Sequence, residues 1–252
     1  MPLVDKMKSR VALVVGGNGG IGSVVTRRLL GDGMKVCSTY NKHRNKLDEL
    51  LTGPLGDELL CMRCDARNKD DVREVVSNVL LKHGRIDAVI FTLTPFLRNT
   101  RILDLEWTDY SEHLDLQLKA IHHFVKSLKE QIVSKGKIKF IVLLSEYCIG
   151  RPPKGLSHYV TAKYGVMGLA RTLAVELAQY GCTVNMITPG MVDTPLLDNM
   201  PAKLLEMTAY ENPLKRIARP EDVSNIVSFL ASEESDYMNG ASITINGGSV
   251  IN

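Results

Sequence analysis

No apolar run in this chain of 252 residues approaches the roughly 20 residues that a membrane-crossing helix needs. Residues 1–6 lack the long apolar segment of a secretory leader, so a cytoplasmic protein with no membrane partner is expected. Charge of one sign is also scarce. Thirty-one Lys and Arg against 28 Asp and Glu leave a net +3, too little to argue for a nucleic-acid partner. The basic stretch at residues 42–46 has no interleaved aromatic side chain to stack on bases. Cysteines number five, an odd count without a disulfide-dense pattern. Cys61-Met-Arg-Cys64 has metal-site spacing, but no second cysteine pair or nearby His-x-x-His completes it. The thiols therefore read as reduced residues in or after a strand, and no metal is expected. No linker, repeat or low-complexity stretch divides the chain, so residues 1–252 are expected to form one domain.

What is present is an alternation. Residues 10–15 are an apolar, β-branched run ending in Gly16-Gly-Asn-Gly-Gly-Ile-Gly22. A helical pattern with Val24, Val25, Leu29 and Leu30 on one side follows, then a strand at 35–40, which is a βαβ unit. Further strands are predicted at 59–64, 86–92, 139–144, 183–187 and 241–245. Helices are predicted at 70–83, 107–134, 158–180 and 220–231. Alternating strands and helices imply an α/β fold, a doubly wound parallel sheet with helices on both faces. Residues 193–213 break the rhythm with Pro195, Pro201 and Pro213 around a short amphipathic pattern at 202–207. They follow the carboxyl end of a strand, where such sheets bind ligands, and are expected to form a substrate lid.

The first βα turn suits a pyrophosphate. Its glycines permit close backbone approach, and it feeds a helix N-terminus whose free N–H groups favour an anion. The second strand ends Tyr40-Asn41-Lys42-His43-Arg44, with no acid before Asp48. A carboxylate there would bind the ribose hydroxyls of NAD. Its absence favours NADP(H), with Lys42 and Arg44 available to a 2′-phosphate.

Tyr159-Val-Thr-Ala-Lys163 reads as the opening turn of the helix at 158–180. Positions four apart share a helical face, so phenol and ammonium point into one space. A neighbouring cation lowers a phenol's pKa, which makes Tyr159 a proton donor to a carbonyl oxygen or an acceptor from an alcohol.

Together, Gly16-x-x-x-Gly20-Ile-Gly22 and Tyr159-x-x-x-Lys163 resemble the short-chain dehydrogenase/reductase family, and within it the carrier-protein β-ketoacyl reductases. The resemblance extends over nearly the whole chain, through Asn185-Met-Ile-Thr-Pro-Gly190 with Thr194 and the segments around Arg219-Pro220 and Gly247-Gly248. It implies about seven Rossmann-like strands, a nicotinamide cofactor and a homo-oligomer, usually a tetramer. By the resemblance, Tyr159 passes the proton, and Lys163 holds the nicotinamide ribose and acidifies the phenol. The implied cofactor site takes in Gly16, Gly17, Asn18, Gly19, Gly20, Ile21 and Gly22; Tyr40, Asn41 and Lys42; Asp65 and Ala66; Thr92; and Pro189, Gly190, Val192 and Thr194, beside Tyr159 and Lys163.

The chain departs from the family pattern at four places. Ungapped alignment puts Glu146 where the family has its catalytic serine. Ser145, one residue earlier, is the adopted substrate-orienting hydroxyl if residues 147–158 absorb one residue, with Ser157 as a further candidate. Gln117 stands for the asparagine of a proton relay. Phe91-Thr-Leu-Thr94 replaces the family's Asn-Asn-Ala-Gly, and Val15 replaces a threonine. Two readings follow: an NADPH-dependent reductase of a ketone, such as a β-ketoacyl thioester or related acyl carbonyl, or a weakened relative that binds NADP(H) or a partner enzyme. Phe96, Leu97, Tyr147, Ile149, Met191, Leu196, Leu197 and Met200 either line an apolar substrate pocket or pack on themselves. Leu114, Leu116, Leu118, Ile121, Val166, Leu169, Leu173 and Leu177 serve either as core or as the helix pair through which family members dimerise.

Overall fold

Parallel strands covered on both faces need apolar residues at every position, not alternate ones. The runs Val11–Val15 and Ala88–Phe91 meet that need and are buried along their whole length. A computed structural model of the chain, describing residues 7–198 and 200–251, arranges seven such strands in one sheet. They are β1 (Val11–Val15), β2 (Lys35–Tyr40), β3 (Leu59–Arg63), β4 (Ala88–Phe91), β5 (Lys139–Leu143), β6 (Thr183–Pro189) and β7 (Ser242–Ile245). The order is β3-β2-β1-β4-β5-β6-β7, and every pairing is parallel. The expected strands therefore exist, each within two residues of its predicted ends.

The helices are α1 (Gly20–Gly31), α2 (Asn45–Leu51), α3 (Lys69–His83), α4 (Trp107–Leu114), α5 (Ala120–Ser127), α6 (Lys129–Ser134), α7 (Ser157–Glu176), α8 (Ala202–Glu211) and α9 (Pro220–Ala231). Two buried clusters fill the two faces. One joins the strands to α1 and α9, with Val14, Val25, Leu29, Val223 and Val227 at its centre. The other joins them to α3, α5 and α7, with Val75, Phe124, Phe140 and Val166. Ile121, Val166, Leu173 and Leu177 are members of that second core, with Leu118 and Leu169 packed against it. Most of the apolar residues held open between core and interface are thus core.

The predicted helix over 107–134 is not continuous. After α4 the chain takes a π turn at Asp115–Lys119, resumes as α5, and breaks again at Leu128. A π turn carries one residue more than an α turn, which periodicity alone cannot reveal. Helix α2 went unpredicted because its seven residues are too few for a clear apolar period.

The sheet's lower edge is tied by one buried carboxylate. Asp87 Oδ2 accepts from Val11 N at 2.8 Å, and Oδ1 pairs with Arg85. Asp87 opens β4 and Val11 opens β1, so this contact sets the register of the two central strands. Asp87→Ala leaves a buried N–H without its acceptor, and urea unfolding should show a loss of about 2 kcal/mol in stability.

Candidate active site

Strand order reverses between β1 and β4, which makes their carboxyl ends the place for a ligand. Gly16 leaves β1 with φ +91°, and a Cβ there would stand 2.8 Å from Leu93. A Cβ on Gly22 would stand 2.2 Å from the Gly16 carbonyl oxygen, so only glycine lets the first turn of α1 close on the loop. Thr92, at the end of β4, braces the turn from the other side. Its hydroxyl lies 2.9 Å from the Val15 carbonyl oxygen and 3.1 Å from that of Gly16. No side chain caps α1. Its free N–H groups and positive end suit an anion.

Two residues of this turn also make contacts within the fold. Gly17 lies against β2, where an added Cβ would fall 2.3 Å from Ser38 Oγ. Asn18 turns its side chain to α2: Oδ1 accepts from Lys46 N at 3.0 Å, and Nδ2 donates to Asn45 at 3.2 Å. Tyr40, Asn41 and Lys42 sit at the end of β2, and Asp65 and Ala66 just past β3, along the same sheet edge. Arg44 is engaged by Asp48 at 2.9 Å and lies 5.9 Å from the Tyr40 ring centroid. Lys42 forms no ion pair among the described residues. Arg67 grips Asp65 with two N–H bonds and holds its carboxyl below the ordinary range.

Helix α7 brings Tyr159 and Lys163 to the end of β5 as its first turns form. Both are buried. The Lys163 ammonium donates to the Leu143 carbonyl at 2.8 Å and lies 5.7 Å from the centroid of the Tyr159 ring. Burial lowers Lys163 to about 8, opposed by the neighbouring Cys148 thiol. Burial also pushes the Tyr159 phenol above its usual range, with Ser145 hydrogen bonding as the one opposing influence. Burial outweighs any acidification of Tyr159 by Lys163, whose ammonium donates to the Leu143 carbonyl.

Ser145 and Glu146 divide clearly. The Ser145 hydroxyl lies near enough to the Tyr159 phenol to oppose its upward shift, and it accepts from Tyr147 N at 3.3 Å. Glu146 also lines the cavity, but its carboxylate is engaged: Oε2 accepts from Ser249 Oγ at 2.5 Å. Ser157 is engaged elsewhere, 2.9 Å from the Tyr110 hydroxyl.

The π turn buries Gln117 with neither side-chain polar atom partnered. Beside it lies a cavity of about 10 Å³ that both Gln117 and Lys163 line, about the room one water needs. His113 and His158 were not foreseen. Their rings meet edge to face at 4.7 Å between centroids, and His113 lies 6.1 Å from the Tyr159 ring. Both Nδ1 atoms are buried without a partner. A histidine in a helical run gives no signal in sequence, and only the packing of α4 on α7 pairs these two.

One cavity of about 390 Å³ gathers most of the expected site. Its lining includes Gly19, Gly20 and Ile21 at one end and Ser145, Tyr159 and Lys163 at the other. Thr92, Pro189, Gly190, Val192 and Thr194 form the wall between. Phe96, Leu97, Tyr147, Met191, Leu196, Leu197 and Met200 also line it, so they form a pocket rather than packing only on themselves; Ile149 does not. The glycine cradle, the helix N-terminus and the buried Lys163 fit a dinucleotide along this edge.

With that geometry in hand, the chain's family is plain. Residues 15–250 match the family described as enoyl-(acyl carrier protein) reductase, and the chain belongs to this short-chain dehydrogenase/reductase family. It is 29% identical to the 3-oxoacyl-[acyl-carrier-protein] reductase of Thermotoga maritima over 98% of this chain and 100% of that protein. It is 30% identical to the same-named protein of Synechocystis, over 97% and 98%. The (3R)-3-hydroxyacyl-CoA dehydrogenase of Homo sapiens is 28% identical over 98% and 97%. Levodione reductase shares the fold with a TM-score of 0.89 at 24% identity, over 96% of this chain and 98% of that one. The chain is thus an oxidoreductase of the kind that acts on a carbonyl.

The histidine pair has a consequence for stability. Burial, then His158 and Lys163, lower His113 from 6.5 to about 4, and burial lowers His158 too. The unfolded chain therefore binds more protons in this window, and stability falls as pH drops from about 6.5 towards 4. Thermal unfolding between pH 7.5 and 5 should show this, and His113→Phe should flatten the dependence.

Proposed function

We propose that the protein is an NADPH-dependent reductase of an acyl ketone, with Tyr159 as proton donor. The observation that carries this reading is the single cavity in which Ser145, Tyr159 and Lys163 share walls with the glycine turn and an apolar pocket. Tyr159, held protonated by burial, gives its proton to the carbonyl oxygen as that oxygen gains negative charge. Ser145, which shares the cavity with that phenol, donates to the carbonyl oxygen and orients it. A bound reduced nicotinamide would supply the hydride.

Lys163 keeps a cation on the face of the Tyr159 ring and stabilises the phenolate left behind. A water between Gln117 and Lys163 returns the proton, which gives the π turn a chemical use. Asn41 in place of an acid, beside the unpaired Lys42, supports NADPH over NADH. Phe96, Leu97, Met191, Leu197 and Met200 suit an acyl chain, and residues 193–213 serve as its lid. The names of the relatives favour a thioester-linked acyl group. Exposed Trp107, Tyr164 and Val175 on α4 and α7 support a homo-oligomer.

The second reading, a weakened nucleotide-binding relative, rested on the altered serine, asparagine and strand-four positions together. The Glu146 carboxylate accepts from Ser249, which favours the enzyme on the first of these.

NADPH oxidation with acetoacetyl thioesters and simple ketones tests the proposal. Tyr159→Phe should lower kcat by about 10²–10⁴-fold with NADPH binding intact. Clear NADPH binding with no turnover by the unaltered protein would sink it. Separately, Ser145→Ala should cost at least about tenfold in kcat, whereas Glu146→Gln should leave kcat within about threefold. The opposite ranking would move the substrate-orienting role to Glu146. Because Lys163 loses its proton near pH 8, the reduction rate should decline as pH rises past about 8.

A further inference from the structure

Tyr159 is not anchored in either main core. It belongs to a small separate cluster with Leu156 and Val160, against which Leu97 and Tyr147 pack. Leu97, Tyr147 and Leu156 also line the catalytic cavity, so much of what surrounds the phenol ring borders open space. A ring beside a void loses packing partners and can turn into it.

Outside the cavity the ring meets a ladder of other rings. His113, in the last turn of α4, stands nearly perpendicular to the Tyr159 ring, at 77° and 6.1 Å between centroids. His158, the residue before Tyr159 on α7, meets His113 at 76° and 4.7 Å. Tyr110, one turn earlier on α4, meets His158 at 80° and 6.4 Å, and its hydroxyl lies 2.9 Å from Ser157 Oγ. Perpendicular rings at such separations attract beyond the area they bury. Both histidines are 2% exposed, and neither lines the cavity. Neither Nδ1 has a hydrogen-bond partner, so at those atoms the rings are held by contact alone. Burial keeps both imidazoles neutral near pH 7, against the pull of Asp109 and Glu112 on the same helix.

We propose that His113, backed by His158 and Tyr110, is a positioning residue for Tyr159: its ring contact holds the phenol in the orientation from which the proton is given. This rests on the reading of Tyr159 as proton donor. Because His113 does not line the cavity, its effect on the reaction passes through the phenol. A misplacement of about 1 Å in such a group can cost about 10²-fold in rate. An aliphatic side chain fills much of the same volume without the perpendicular ring contact, whereas phenylalanine keeps it.

The test is NADPH oxidation with an acetoacetyl thioester. His113→Leu should lower kcat by about tenfold or more, with KM and NADPH affinity within about twofold. His113→Phe should stay within about threefold of the unaltered kcat. In a Tyr159→Phe background, His113→Leu should cost less than about twofold, because the phenol it acts through is gone. A core change that merely loosens the fold would move KM and NADPH affinity as well, and its cost would persist in that background. An unchanged kcat in His113→Leu, a loss in His113→Phe as large as in His113→Leu, or an undiminished cost in the Tyr159→Phe background overturns the proposal. A second readout does not need turnover. Crystal structures of the NADPH complexes should show the Tyr159 ring in place in His113→Phe, and displaced or split between two conformers in His113→Leu and His113→Ala. A ring unmoved in both aliphatic variants overturns the proposal too. If the unaltered protein reduces no ketone, the proton-donor reading fails, and the ring's position alone decides whether His113 holds it.

Discussion

A buried ammonium needs an acceptor, and here the Leu143 carbonyl at the end of β5 provides it. A charge taken out of water is costly unless it is hydrogen-bonded, so this contact restricts where α7 can lie along the sheet. Once Lys163 is seated on the last residue of β5, Tyr159 one turn earlier has one position, over the strand's carboxyl end. Ser145, two residues past Leu143, then lies beside the phenol without any further device. The proton chemistry of the site is therefore a consequence of docking one helix on one strand.

The same docking raises the phenol's pKa and lowers the amine's, both chiefly by burial. These shifts favour the neutral form of each group, and neither depends on the other. The ammonium lies 5.7 Å from the ring centroid, so a negative charge on the phenol would be met by a cation.

Departures from the family pattern are absorbed by backbone, not by side-chain imitation. Gln117 has a longer stem than asparagine, and a π turn accommodates it by widening α4's continuation. Ser145 and Glu146 both line the cavity, and the Glu146 carboxylate accepts from Ser249 Oγ. The loop of residues 147–158 carries Gly150 and Gly155, the latter at φ +81°. Thr92 braces the glycine turn through its hydroxyl, so a strand end without the family's asparagines still holds the loop.

The sequence by itself determined the strands, the doubly wound class and the glycine turn. Those depend on local pattern: buried parallel strands must be apolar throughout, and Gly16 must reach positive φ. The Tyr159–Lys163 pair was equally legible, since four residues are one helical turn. Other features depend on partners distant in sequence, which no local pattern encodes. Asn18 became a cap because α2 begins beside it, 27 residues on at Asn45. His113 and His158 became a buried pair because α4 packs on α7. The choice between Ser145 and Glu146 lay with Ser249, 103 residues away, because only the folded chain brings a hydroxyl there to receive the carboxylate.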